Sequence, residues 1–195
     1  MSTRFMIGLA SVMIVLAASC GGSRDGRDTP AVPRPVGYPR IEMPDSSYVP
    51  LAVASDTLMV NASARVEAAD RDGDVWIDVM YDAPYRPRLA LTLTDARGRI
   101  DEVMDNRSER MALNMGGARC EMTDITTPGG WTCRMALARS VAATPIQMLA
   151  TDGVHVLSGA LVLEVADSVA ADPVAYAPVV EAVRRDVLVM LRSMR

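Results

Sequence analysis

The feature that most constrains the fold is an alternation of apolar and polar residues in the middle of the chain. It runs through two segments, 75–81 (VWIDVMY) and 89–94 (LALTLT). Successive side chains of a strand point to opposite faces, so each run predicts a strand with one buried face. A turn separates the first of them from an earlier strand, which the alternation of Ala64, Val66 and Ala68 predicts within residues 57–68.

Four more strands are predicted in two hairpins. Residues 119–124 and 131–138 flank the turn 126–130 (TTPGG), and residues 146–151 and 154–165 flank Asp152-Gly153. Glycine and proline clusters between apolar runs are typical of such turns. Strands that follow one another this closely favour antiparallel pairing.

Two segments have helical periodicity instead. Ile100, Val103, Met104 and Met111 recur at helical spacing before Gly116-Gly117, which predicts an amphipathic helix with a glycine stop. A second apolar face runs from Tyr176 to Met194, with Pro178 expected in the first turn. The fold class is therefore predicted as α+β, a single domain with a mainly antiparallel β-sheet and two amphipathic helices packed on it, one of them C-terminal.

The amino terminus predicts export and lipidation. Arg4 precedes the apolar run 5–18, and Ser19, Cys20 and two glycines follow. This order is typical of a secretory signal, and the run is short for the ~30 Å of a bilayer core, so a transmembrane anchor is the lesser alternative. We expect residues 1–19 to be the signal peptide and Cys20 to carry palmitate and anchor the protein to a membrane.

The remaining chain divides into a tether and a domain. Residues 20–35 are rich in Gly, Pro, Arg and Asp, which predicts a flexible tether. Residues 36–195 form the predicted globular domain, and within it residues 36–50 form a proline-rich extended strap. The expected location is the cell envelope, with the domain in the periplasm or at the outer surface.

Charge and motifs exclude several classes of function. The 20 basic and 24 acidic residues are interspersed and give a net charge of −4, which argues against nucleic acid as a partner. No nucleophile elbow, phosphate loop or zinc-protease motif occurs in the sequence, so we expect no enzyme and no cofactor. His155, the single histidine, is expected to be structural and hydrogen-bonded at a sheet edge. Catalytic pairing of His155 with Ser158 is disfavoured, because side chains three residues apart on a strand point to opposite faces. No metal site is predicted.

Two cysteines remain after Cys20. Cys120 and Cys133 lie near the two sides of a predicted hairpin turn, in a compartment that oxidises thiols. A disulfide between them would close a loop of about fourteen residues and contribute roughly 3 kcal/mol. Two buried free thiols are the alternative.

Residues 33–44 (PRPVGYPRIEMP) resemble the opening motif of the GldD family of lipoproteins, which is associated with gliding motility in Bacteroidetes. The segments 142–147 (AATPIQ), 151–152 (TD), His155 and 159–161 (GAL) are similar to further family segments in the same order. Pro178-Val179 and 185–187 (RDV) match the end of these proteins. The resemblance spans nearly the whole chain.

The resemblance implies a non-enzymatic accessory lipoprotein of the gliding machinery, with a membrane protein of the GldE type as its partner. Partner contacts are expected in the strap, at Gly37, Tyr38, Arg40 and Tyr48. A tethered domain at a membrane also meets partners at raised effective concentration. The alternative is a small-ligand module that holds a lipid or apolar fragment between sheet and helix. A hydrolase is a third class that no motif supports.

Overall fold

The computed structural model describes residues 47–53 and 56–195. These residues form nine strands and three helices. In chain order they are β1 (Tyr48–Val53), β2 (Asp56–Asn61), β3 (Arg65–Arg71), β4 (Asp74–Met80), β5 (Arg88–Asp95), α1 (Ile100–Met115), β6 (Glu121–Thr126), β7 (Thr132–Leu137), β8 (Ile146–Thr151), β9 (His155–Val162), α2 (Asp167–Ala170) and α3 (Pro173–Ser193).

Seven strands form one antiparallel sheet in the order β3-β4-β5-β9-β8-β7-β6, and β1 and β2 form a separate hairpin. Three of the pairings join neighbours through tight connections, whereas β5 pairs with β9 from Arg88↔Val162 to Asp95↔His155. The chain between these two strands forms α1 and β6 to β8, so the pairing joins the two halves of the sheet. The predicted α+β class, with a mainly antiparallel sheet and a C-terminal helix, is confirmed.

One face of the sheet carries the main core. Residues Ile77, Val79, Leu89, Leu91 and Leu93 are buried there, as the alternation predicts. The helix α3 and the β1–β2 hairpin cover this face and bury apolar side chains in the same cluster, among them Val53, Leu58, Val60, Tyr176, Val183 and Leu191.

The start of α3 differs from the prediction. Asp172 caps the helix by accepting a hydrogen bond from the N–H of Val174 at 3.1 Å, and Pro173 occupies the first turn. The prediction that Pro178 lies in the first turn is wrong, because it lies inside the helix, where its ring remains exposed.

The opposite face of the sheet is covered by α1. This helix ends where Gly116 adopts a left-handed conformation, at φ 55°, as the predicted glycine stop requires. Its first half packs on Leu149 and Val156, and its end packs on Ala136 and Ala138. The helix α1 contacts β8 and β9 near the middle of the sheet, and a cleft lies on each side of the helix.

The strand predicted within residues 57–68 is divided in two. The side-chain oxygen of Asn61 accepts hydrogen bonds from the N–H and the hydroxyl of Ser63, at 3.0 and 2.7 Å. This local turn ends β2 at Asn61 and starts β3 at Arg65, in a different sheet.

Candidate functional site

The lipidation site and most of the strap fall outside the described residues. Cys20, Gly37, Tyr38 and Arg40 belong to this part, and their predicted roles stay predictions. Tyr48 is described, and it begins β1. Its hydroxyl donates a hydrogen bond to Asp186 of α3 at 2.8 Å, so this group is already occupied within the chain.

Asp186 is the centre of a buried polar cluster between the hairpin and α3. Its carboxylate also accepts a hydrogen bond from the Asn61 amide at 3.0 Å, and it lies beside Tyr81. Burial, with the nearby charge of Asp186, raises the pKa of Tyr81 well above the usual tyrosine value. The cluster ties the first described strand to the last helix, which is a structural role.

The predicted disulfide is wrong, because Cys120 and Cys133 are free thiols. Cys133 pairs in register with Ile125, five residues from Cys120, which is about 16 Å along a strand. A disulfide spans at most about 7 Å between Cα atoms. The two side chains also belong to different clusters, one under α3 and one beside the end of α1.

The two thiols differ in their surroundings, and Cys133 does not have those of a reactive cysteine. The Cys133 thiol lies in the core near the Leu191 carbonyl and the Met194 sulfur, and burial raises its pKa to about 11. The Cys120 thiol donates to the carbonyl of Ala118 at 3.3 Å. A reactive thiol needs a lowered pKa, so Cys133 is a packing residue.

His155 lies in a cluster with two carboxylates. Its Nδ1 is 3.0 Å from Oδ2 of Asp152 and 3.9 Å from Oδ2 of Asp56, and the candidate ligand atoms of all three lie within 4.8 Å of one another. The expected sheet-edge position is wrong, because β9 is the central strand of seven. The expected hydrogen bond is present, with Asp152 as the partner.

The turn before β9 explains much of this arrangement. Burial raises the pKa of Asp152, but hydrogen bonds from the N–H groups of His155 and Val154 and from the His155 ring outweigh it and hold the pKa below its ordinary value. Asp56, whose residue surface is 9% exposed, comes from the start of β2. These three residues are the described group with a donor set suited to a metal ion, and their hydrogen bonds equally serve to fix the turn.

No nucleophile completes this group. Neither nitrogen of the His155 ring has a hydroxyl or thiol hydrogen-bond partner within the described chain, and the Thr151 hydroxyl donates to the His155 carbonyl at 2.8 Å. Ser158 lies on the other face of β9, against Leu149 and Thr92 in register. The sequence prediction that His155 and Ser158 do not meet is confirmed.

A groove with an apolar lining runs along one side of α1, and we call it the methionine groove. It lies between α1 and β6 to β8 and has a volume of about 750 Å³. Its lining includes Met104, Met111, Met115, Met122, Ala112 and Leu149. Met122 is 49% exposed, and an ion pair of 2.8 Å between Asp124 and Arg134 stands at the rim.

Sequence reasoning did not find the methionine groove, although it expected a space between sheet and helix for the ligand-binding alternative. Three of its methionines follow a pattern in the sequence, because Met104, Met111 and Met115 share one face of α1 at spacings of seven and four. Met122 joins them only through the position of β6 in the sheet. No local pattern predicts that.

The described residues thus form an antiparallel α+β domain with an open apolar groove beside α1. The chain belongs to a family of envelope lipoproteins, since the family model described as gliding motility lipoprotein GldD matches residues 28–195. It is thus a membrane-anchored protein of the cell envelope. A comparison with curated proteins found no match. Of the helices in residues 47–53 and 56–195, none has the length and hydrophobicity of a membrane span.

Proposed function

We propose that this lipoprotein is a non-enzymatic accessory component that binds another envelope protein through the methionine groove. The occupant we propose is an apolar or amphipathic helix of a membrane protein of the GldE type. Membership of the gliding motility lipoprotein family supports the setting. The observation that supports the methionine groove as the binding surface is its open apolar lining, which includes the exposed Met122.

The chemistry of the groove suits a helix. One wall is α1, whose 16 residues span about 24 Å, so a partner helix of similar length fits beside it. Methionine side chains are flexible and polarisable, and they adapt to varied apolar surfaces. The charged pair at the rim adds a polar border that such interfaces commonly have.

The absence of catalysis is part of the same proposal. The single histidine is held by Asp152 and lies beside Asp56, and no described hydroxyl or thiol is hydrogen-bonded to its ring. General-base activation of a nucleophile requires that contact. The histidine cluster therefore supports a role in fixing the turn before β9.

Site-specific photocrosslinking tests the proposed surface. A photoreactive residue is placed at Met122 or Ser108 in the groove, and at Val174, which is 60% exposed at the start of α3, as the control. In cells that produce the GldE-type protein, the groove positions should crosslink to it and Val174 should not. Equal capture from all three positions, or from Val174 alone, would contradict the proposed surface.

The anchor is tested in the same cells with Cys20→Ala. Loss of the lipid removes the raised effective concentration at the membrane, so crosslinking from Met122 should fall by about 10²-fold or more. Unchanged crosslinking in this variant would show that the proposed anchor plays no part in the encounter.

The volume of the groove favours one second candidate, a small apolar ligand such as a lipid fragment. About 750 Å³ lies within the ~300–1,000 Å³ range of ligand pockets. Native mass spectrometry of protein purified from membranes distinguishes the two. A bound lipid that is lost on Met122→Glu would favour the ligand, and a lipid-free groove would favour the protein partner.

A further inference from the structure

A second cleft lies on the other side of α1, over β4, β5, β9 and β8, and we call it the polar cleft. It has a volume of about 230 Å³, and its lining includes Trp76, Thr92, Arg110, Asn114, Gln147 and Ser158. Met111 lines both clefts, whereas the helical positions Arg107, Arg110 and Asn114 line the polar cleft and not the methionine groove.

The polar cleft contains a buried amide that lacks a partner. Gln147 is 4% exposed, its Oε1 accepts a hydrogen bond from Asn114 at 3.4 Å, and its Nε2 has no hydrogen-bond partner among residues 47–53 and 56–195. The cross-strand neighbours are Ala136 and Ala160, whose side chains offer no acceptor. Buried donors in native proteins are normally paired, so this amide N–H group is available to a ligand.

The charge of the cleft indicates which sign of charge a ligand would carry. Its lining contains two arginines and no acidic side chain. Arg107 is engaged with Asp74 and Thr94, at 3.4 and 3.3 Å, but Arg110 has no hydrogen-bond or ion-pair partner in the described chain. A guanidinium beside unpaired amide and hydroxyl groups favours a carboxylate ligand with further polar substituents.

Trp76 adds a flat apolar surface. Its residue surface is 47% exposed, and the guanidinium of Arg71 lies over the ring at 5.5 Å from the centroid. Small residues cover the floor, since Ala90, Ser158 and Ala160 face the cleft. The volume corresponds to about eight waters at ~30 Å³ each, which is room for one sugar ring.

We propose that the polar cleft binds a single carboxylated sugar residue. Arg110 pairs with the carboxylate, the Gln147 amide donates to a ring substituent, and Trp76 packs against the ring. The proposal does not depend on the methionine groove, so either site can fail alone.

The test is a titration of the full acylated protein in detergent, followed by saturation-transfer NMR. The probes are D-glucuronate, N-acetylmuramate and D-glucose. Either acid should saturate the site, and glucose should bind about tenfold more weakly because it lacks the charge-assisted pair. The tighter of the two acids identifies the source as an acidic polysaccharide or as peptidoglycan. Equal binding of glucose, or failure of both acids to saturate, would overturn the proposal.

Three variants locate the site. Gln147→Leu keeps the volume and removes the unpaired donor, so the fold should be as stable as before while affinity for the acid falls about tenfold. Arg110→Gln should have a similar effect on affinity. Arg185→Gln, on the exposed side of α3 across the sheet, is the matched control and should bind as wild type. Wild-type affinity in both Gln147→Leu and Arg110→Gln would overturn the assignment.

Discussion

The hydrogen bond between Tyr48 and Asp186 should hold the amino-terminal hairpin onto the domain. Tyr48→Phe deletes the hydroxyl that donates to the Asp186 carboxylate at 2.8 Å and leaves the ring in place. A carboxylate that is buried loses one of its donors, and Asn61 is left as a donor at 3.0 Å. The variant therefore tests the polar cluster without creating a large cavity.

The expected loss follows from the type of bond. Hydrogen bonds to charged groups contribute about 1.5–3 kcal/mol, and Tyr48 is only partly buried, so we expect a fall of about 1.5–2 kcal/mol in the free energy of unfolding. For a chain of this size, each kcal/mol shifts Tm by roughly 2–4 °C, which gives a decrease of about 3–8 °C.

Urea denaturation and thermal unfolding followed by circular dichroism measure this effect. Tyr85→Phe is the matched control, because the Tyr85 hydroxyl makes a longer bond of 3.4 Å to the Ala175 carbonyl. The control should lose less than about 1 kcal/mol, as is usual for a weak neutral hydrogen bond. If the two variants lose the same free energy, the assigned role of Asp186 is refuted.

Three further outcomes are expected. Gly159→Ala should cost about 1–3 kcal/mol in urea denaturation, because a Cβ there would lie 2.8 Å from the Ala90 carbonyl oxygen and would overlap Leu91; wild-type stability would contradict this packing. In Cys20→Ala protein at pH 8, a thiol reagent should label Cys120 in the folded state and Cys133 only after unfolding. If neither cysteine is labelled even after unfolding without reductant, the two form a disulfide. The folded-state pKa of Tyr81 is raised, so its contribution to the free energy of unfolding is complete below the unfolded pKa of about 10 and is lost as pH rises. Tyr81→Phe should make the fall of this free energy at alkaline pH less steep, and an unchanged slope would contradict the raised pKa.

The sequence predicts the elements whose signals are local. The alternation at Ile77 and Val79 and at Leu89 to Leu93 correctly predicts β4 and β5, because the pleat places every second side chain in the core. Gly116 correctly ends α1 because it takes the left-handed conformation. The two predicted hairpins are present as β6–β7 and β8–β9.

The long-range features do not follow from these patterns. The pairing of β5 with β9 joins residues that are 60 to 74 positions apart, and it decides that Trp76 and Gln147 line one cleft. The disulfide prediction rests on proximity in sequence to a turn and on an oxidising compartment, whereas the register separates Cys120 from Cys133. The family resemblance predicts a partner contact at Tyr48, and no local pattern indicates its bond to Asp186, 138 residues later.

The most direct test of the proposed function is the affinity of the purified lipoprotein for the GldE-type membrane protein in nanodiscs, measured with Met122→Glu beside Val174→Glu. A carboxylate in the apolar groove must be desolvated on binding, so Met122→Glu should weaken the complex at least about tenfold, and Val174→Glu should leave it unchanged. A wild-type complex that forms equally well with Met122→Glu, or no complex at all, would contradict the proposal that the methionine groove binds this partner.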